Sequence, residues 1–416
     1  LRDQSSNGRT ASVNELINEA LRITDNAGEI IKQQSNARSS WRPSGRIKAW
    51  DQIVGSTNNY ISVFSHWEYY DCDETDPQEI NARTIVIKPR CQRAVYTYEN
   101  RPTPGSHIPV AGVKVRARRW FTTHTGYTDS NGNFSCNGTF ERDANYSIQW
   151  ETGDYDIRDG LVGQAIYNGP KQTGNWNLNI SSGKSLRYAT IHRAAYRYHS
   201  QDIGGLKRPN ISVRLKLAYM DGEGTGVNWG NVWQSFIGGG IVPNILIYRK
   251  SKITGNDYTE DFIFRTTIHE IGHASHIELM NAGLIQFGQV SKIIRESWAD
   301  AIEWHITDIE YRYHGEADYS DPETSFLTGD SHKQWWERSD GLDYTPILID
   351  LVDDWNQLTE NGGIRPDDNV SGYTMADMES QFMKHVYGVH SLGEELRSHK
   401  PSGVTDAQIN TYFAFY

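Results

Sequence analysis

The sequence predicts an α+β protein in which an N-terminal all-β sandwich precedes a second domain built from a mixed sheet and helices. Apolar residues follow a period of two from Trp41 to about Trp150. One helix-compatible run and two strand-like runs then lie between Leu186 and Tyr248, and the chain past residue 260 is mostly helical. Helix, strands and then helices in series is the order expected of an α+β domain. A length of 416 residues exceeds what one small core organises. We divide it into an N-terminal helix and linker (1–40), the β module (41–150) and the helix-rich domain (151–416).

Composition narrows the functional classes. Hydrophobic residues make up 37% and charged residues 22%, the balance of a soluble globular chain. The net charge of −11 opposes an electrostatic grip on nucleic acid, which needs clustered Lys and Arg. No stretch approaches the roughly 20 apolar residues that span a bilayer. The 23 Tyr and 13 Trp, against 12 Phe, suit half-buried strands and binding surfaces, because an amphipathic ring packs at one end and stays wet at the other.

From about Val13 to Gln33, Leu16, Ile17, Ala20, Leu21, Ile23, Ile30 and Ile31 fall largely at helical spacing, with Ser12 as the cap. The polar run Gln34 to Ser40 reads as a linker. In the β module Val113 and Val115 alternate with Lys114 and Arg116, so the basic run Lys114 to Arg119 forms a solvated strand face. Asp129-Ser130-Asn131-Gly132-Asn133 is a turn whose Asn-Gly step favours a tight hairpin. Read as a calcium loop, the same residues lack the later Glu and the helices of an EF-hand. Tyr146 to Trp150 is a further strand, and Gly153 to Ser182 suits short strands and loops. Leu186 to Tyr198 follows as a helix, then Ile211 to Tyr219 and Ile241 to Tyr248 as strands. The spacing of Cys72 and Cys91 allows a disulfide in an oxidising compartment, which would leave Cys136 free.

Within the β module, Pro109-Val110-Ala111-Gly112-Val113-Lys114-Val115, followed by Gly126-Tyr127-Thr128-Asp129-Ser130-Asn131-Gly132-Asn133-Phe134, resembles the carboxypeptidase regulatory-like domain, a transthyretin-type β-sandwich. Gly45 to Trp50 fits its first strand, and residues from about Asn58 to Gly105 depart from it as a long insertion. The resemblance implies a module that accompanies peptidases or sits in exported proteins and does no chemistry itself. The polar opening Leu1 to Thr10 reads as the inside of a longer precursor. We therefore expect a secreted protein of bacterial type: extracellular, periplasmic or at the cell surface.

The chemistry centres on His269-Glu270-Ile271-Gly272-His273, inside a helix-compatible run from Phe262 to Met280 that is uncharged from Thr266 to Ile277 apart from the motif and His276. Residues four apart share a helix face, so His269 and His273 can direct two imidazole nitrogens at one zinc ion. Glu270 stands about 100° round the helix, where it could take a proton from zinc-bound water instead of ligating. This is the H-E-x-x-H logic of zinc hydrolases. Gly272 costs helix stability by about 1 kcal/mol relative to Ala, which close packing near the metal would explain. A third protein ligand is still required. Glu296 and Asp300, four apart on a second helix, can supply it, one carboxylate binding zinc and the other accepting the free N–H of a ligand histidine.

His269-Glu270-x-x-His273 followed by Glu296-x-x-x-Asp300 resembles the gluzincins, the thermolysin-like and aminopeptidase-like zincins. The resemblance implies a zinc metallopeptidase, with His269, His273 and Glu296 as metal ligands, Glu270 as the base and Asp300 supporting a histidine. It also implies an edge strand that binds extended peptide, for which Asn244 to Tyr248 is the candidate. An oxyanion donor is expected from Tyr311, Tyr313, His314, Tyr344, or His385, Tyr387 and His390 of the last helix, with Tyr344 and His385 favoured by order along the chain. His276 reads as a capping or supporting residue. The rival reading is a cell-surface binding or adhesion protein on a zincin scaffold with lost or narrowed activity.

Overall fold

The structure, a computed structural model, describes residues 13–23, 40–55, 60–71, 90–100, 105–209, 214–224, 243, 245–252, 255–280, 287–316, 319, 345–354 and 369–413. Over these residues the chain is α+β, with several sheets and six helices of eight or more residues. The first helix, α1 (Val13–Ile23), occupies the start of the expected helical run. Its expected cap Ser12 and its continuation to Gln33 lie outside the described residues.

Two four-stranded sheets follow. In the first, β1 (Ser44–Asp51) is flanked on one edge by β12 (Trp176–Ile180), in parallel, and on the other by β4 (Ser106–Pro109) and β7 (Asn133–Ser135), both antiparallel. The second is antiparallel throughout, in the order β11 (Ile166–Gln172), β8 (Ala144–Gln149), β5 (Lys114–Arg119), β6 (Thr122–Tyr127). Strand alternation decides which residues face inward. Val115, Ala117, Tyr146 and Ile148 are buried in one sheet and Ile47 and Ala49 in the other, and the Tyr146 and Trp176 rings meet across them at 5.2 Å.

Both sheets run past the expected boundary at residue 150, since β11 and β12 belong to them. Short strands were expected between Gly153 and Ser182, but not their membership of these sheets; β11 exposes Ile166, Asn168, Pro170 and Lys171, and Gly169 faces the Trp176 ring. The Asp129 turn is present: Asp129 Oδ1 accepts the amides of Asn131 and Asn133, each at 2.9 Å. It does not close a paired hairpin, because β6 pairs with β5 whereas β7 pairs with β1. The turn carries the chain from one sheet to the other. In the expected insertion, β2 (Tyr60–Asp71) and β3 (Arg90–Asn100) pair, among the described residues, with each other alone. Cys72, and with it the Cys72–Cys91 pairing, lies outside the described residues, and Cys136 is buried and free.

A third, mixed sheet has the order β10 (Gly163–Gln164), β9 (Tyr155–Asp159), β13 (Leu215–Gly224), β14 (Ile245–Ser251). Strand β13 runs parallel to both β9 and β14, and β10 is antiparallel to β9. Three helices pack on one another beside it: α2 (Gly183–Ser200), α3 (Glu260–Leu279) and α4 (Lys292–Tyr313). Thr259 caps α3 by accepting the Phe262 amide at 3.4 Å, and Glu260 and Asp261 suit the positive end of its dipole. Helices α5 (Val389–Ser398) and α6 (Asp406–Phe413) close the described chain. Among the described residues no helix is long and apolar enough to cross a membrane.

A buried ion network ties β1 to these helices. Asp51 Oδ2 accepts from Arg193 at 2.8 Å and from the Tyr311 hydroxyl at 3.2 Å, while Glu310 receives Arg193 at 3.1 Å and Arg197 Nε at 2.6 Å. All five residues are nearly excluded from water, so this junction is built on paired charges as well as apolar packing.

Candidate metal centre

Helix α3 is buried at every position from Thr267 to Ile277, which accounts for the absence of other charges there. It lies against α4 with Gly272 at the crossing. A Cβ on Gly272 would sit 3.4 Å from Ile302 Cγ2 and 3.6 Å from Ala299 Cα, ordinary van der Waals distances. An alanine would therefore fit at this position, and close packing does not account for the glycine between the histidines.

Two faces meet at the crossing. His269 and His273 project from α3, four residues apart, and Glu296, Asp300 and Glu303 project from α4 at positions i, i+4 and i+7. His269 Nε2 and His273 Nε2 are 3.0 Å apart, and Glu296 Oε2 stands 3.2 Å from the latter and 3.5 Å from the former. Tetrahedral zinc with bonds of about 2.0–2.1 Å spaces its ligand atoms by about 3.3 Å. The triangle of these three atoms therefore has the size of a zinc-binding face.

The far side of His269 is held as well. Its Nδ1 contacts Asp300 Oδ1 at 3.0 Å and Glu303 Oε2 at 3.1 Å. Carboxylates at Nδ1 hold the proton there and leave Nε2 to accept a cation. Glu303 is a residue the motif spacing did not single out, although it continues the Glu296–Asp300 face by one more turn. Arg265 NH1 approaches its other oxygen at 3.6 Å. Glu303→Gln is expected to weaken zinc binding about 10–100-fold, measured by competition with a chelator; unchanged affinity would remove Glu303 from the centre.

Two residue groups at this crossing could hold a metal ion, His269–Glu270–His273 and His269–Asp300–Glu303. Glu296 Oε2 adds a further carboxylate beside the first of these groups. Two histidine nitrogens converge there, whereas the second group offers one histidine and has the cationic Arg265 beside it. Charge points the same way. Glu270, Glu296, Asp300 and Glu303 are all buried, against one arginine and two imidazoles, an excess of acids that a divalent cation would offset.

The pKa shifts follow from the same crowding. Burial opposes charge on His269, but its bonds to Asp300, Glu296 and Glu303 outweigh it and raise the pKa well above the usual value. Burial pushes His273 down to about 4, against the pull of Glu296. Burial also raises Glu296, but its bonds to His269 and His273 dominate and hold it well below the usual carboxylate range. Glu270 goes the other way. Burial raises it to about 8, and the neighbouring acids add to the rise against the opposing charge of His269. Its Oε2 is buried without a hydrogen-bond partner.

Several expected residues are elsewhere. Tyr311 is spent on Asp51, and it lies 15 residues beyond Glu296, about 22 Å along α4. His314 contacts Glu310 at 3.3 Å, and the Tyr313 ring lies under the Arg197 guanidinium. His385 is exposed on a 3-10 turn, Met383–His385, and Tyr387 follows in a loop; of the three residues expected on the last helix, only His390 is helical, on α5. Tyr344 lies outside the described residues. The His276 side chain makes no capping hydrogen bond. Its two ring nitrogens are buried without hydrogen-bond partners, it packs against the Phe287 and Trp298 rings, and burial pushes its pKa down to about 3. Strand β14 ends the third sheet among the described residues, with Ile245 to Ile247 buried and Tyr248 half-buried; Asn244 is outside them.

Compared with known proteins, the chain matches no family model, no curated protein and no solved structure.

Proposed function

We propose that the chain is a zinc-dependent peptidase of the gluzincin type, exported from the cytoplasm. In this reading the first two sheets form a carboxypeptidase regulatory-like sandwich, and the third sheet with α2, α3 and α4 forms a zincin-like catalytic domain. The observation that carries it is the convergence of His269 Nε2, His273 Nε2 and Glu296 Oε2 within 3.5 Å of one another.

His269, His273 and Glu296 hold the ion, and Asp300 with Glu303 fixes the ring of His269. Bound zinc supplies a Lewis acid that polarises a carbonyl and lowers the pKa of water toward about 7. Glu270, outside the ligand triangle, takes the proton from the attacking water on its carboxylate and delivers it to the leaving amine. Strand β14 is bridged on its outer edge at Lys250 by Asp257, but from Ile245 to Tyr248 that edge carries no strand among the described residues, and there it aligns an extended substrate by backbone hydrogen bonds.

Metal analysis combined with a mixed peptide library tests the reading. One zinc per chain and cleavage of a subset of peptides is the expected result. Stoichiometric zinc with no peptide cleaved would instead support a surface-binding protein on a zincin scaffold, and a chain that takes up no zinc would exclude both.

A further inference from the structure

The hairpin joining β5 to β6 turns on two bulky aromatics. Arg119 pairs with Thr122, so Trp120 and Phe121 alone form the turn. Trp120 has a φ of 51°, the only non-glycine residue in the left-handed region among those described. Two-residue hairpins adopt such angles readily with Asn-Gly or Asp-Gly, whereas a large side chain makes them costly. Burial does not offset that cost, because Phe121 is 75% exposed and Trp120 41%. Folding alone gives no reason for this pair at this turn.

Behind the tip lies the outward face of the second sheet. On the cross-strand rows running from β6 through β5 and β8 to β11, the outward side chains include Lys114, Arg116, Arg118 and Lys171 and no Asp or Glu. In a chain of net charge −11 this is a local reversal of sign. Lys114 and Lys171 are engaged by Glu151 and Asp143 beyond those rows. Arg118 donates through Nε to the Trp120 carbonyl at 3.1 Å, which fastens a cation to the tip.

We propose that this hairpin and sheet face dock the protein on an anionic lipid bilayer. A two-residue turn is convex, so it offers neither a groove for a peptide nor a flat platform for a sugar ring. Exposed Trp and Phe at a convex tip suit the bilayer interface, where such rings sit at headgroup depth. Arg118 stands two residues behind Trp120, about 7 Å at strand rise, and Arg116 about 14 Å. Insertion of the tip by about 5–10 Å brings Arg118 level with the lipid phosphates. The attachment is peripheral and does not depend on the metal centre.

Sedimentation of the full chain with vesicles tests this. The protein should bind vesicles of phosphatidylcholine mixed with phosphatidylglycerol, bind phosphatidylcholine alone far less, and be released by salt. Trp120→Asn with Phe121→Gly supplies the residues the turn favours. That variant should melt no lower than wild type and lose vesicle affinity by about tenfold or more. Arg116→Ser with Arg118→Ser should also lose about tenfold. Absence of binding to the mixed vesicles, or undiminished binding by the turn variant, would overturn the proposal. Binding to heparin that survives the turn substitutions while vesicles are ignored would assign the face to a soluble polyanion instead.

Discussion

Replacing Glu270 by Gln is expected to leave one zinc bound per chain and to lower kcat by at least about 10³-fold. Zinc retention follows if His269, His273 and Glu296 are the ligands, as proposed, and Glu270, which stands within 4.8 Å of both histidines, acts as base. Retention of the fold follows from its environment. The Glu270 Oε2 has no hydrogen-bond partner to lose, and burial already raises the group to about 8, so the folded chain without metal favours its neutral form. A neutral amide of the same shape is therefore tolerated. What the amide cannot do is accept a proton, which is the whole of the role assigned to Glu270. KM should change little while kcat falls, the signature of a group that acts in the transition state. Metal analysis and peptide kinetics on one preparation decide the matter. Wild-type turnover would remove the base from Glu270, and loss of zinc together with activity would move it into the ligand set.

The pair His269–His273 was legible because a helix converts a spacing of four into a shared face, and Glu296–Asp300 was legible by the same rule. Glu303 obeys it too, one turn on, yet a motif-based search stops at the spacing it knows. Other features leave no local trace. Asp51 meets Arg193 across 142 residues and Tyr311 across 260, and no pattern around any of them marks the contact. Tyr311 and His314 drew attention as oxyanion donors because they follow the second motif in sequence. Helix rise carries them away from His269, His273 and Glu296 and into the junction with β1. Strands β11 and β12 were missed as parts of the first two sheets for another reason. The chain leaves those sheets for β9 and β10 and then returns, and no local pattern says which sheet a returning strand joins: β12 alternates cleanly as Trp-Asn-Leu-Asn-Ile, whereas β11 exposes Ile166 beside polar residues. The α+β class survived these errors because it depends on the order of strong elements alone.

The junction yields the second large effect. Glu310→Gln is expected to destabilise the chain by about 3–5 kcal/mol, a large share of the stability of an ordinary domain. Arg193 would keep Asp51, but Arg197 depends for its counter-charge on Glu310, with Nε at 2.6 Å and NH2 at 2.5 Å, and otherwise meets the Asp202 carbonyl at 3.4 Å and the Tyr313 ring. The variant therefore leaves a guanidinium buried without its counter-charge. Removing that charge as well should recover part of the loss, so Arg197→Met combined with Glu310→Gln is expected to be more stable than Glu310→Gln alone. The pH dependence has a definite sign. Burial raises the Glu310 pKa, but its bond to His314 and the charges of Arg197 and Arg193 prevail and hold it well below the usual carboxylate range. An acid depressed in the folded state binds fewer protons there than when unfolded. Its stabilisation is thus complete above the unfolded value of about 4.3 and fades as pH falls through that value toward the folded one. Urea unfolding from neutral to acid pH should show wild type losing stability in that window, with a shallower loss in Glu310→Gln. The zinc content of the variant should not change, because Glu310 lies seven residues past Glu303, about 10 Å along α4. Equal stability of the two proteins at neutral pH would mean that apolar packing alone holds β1 to the helices.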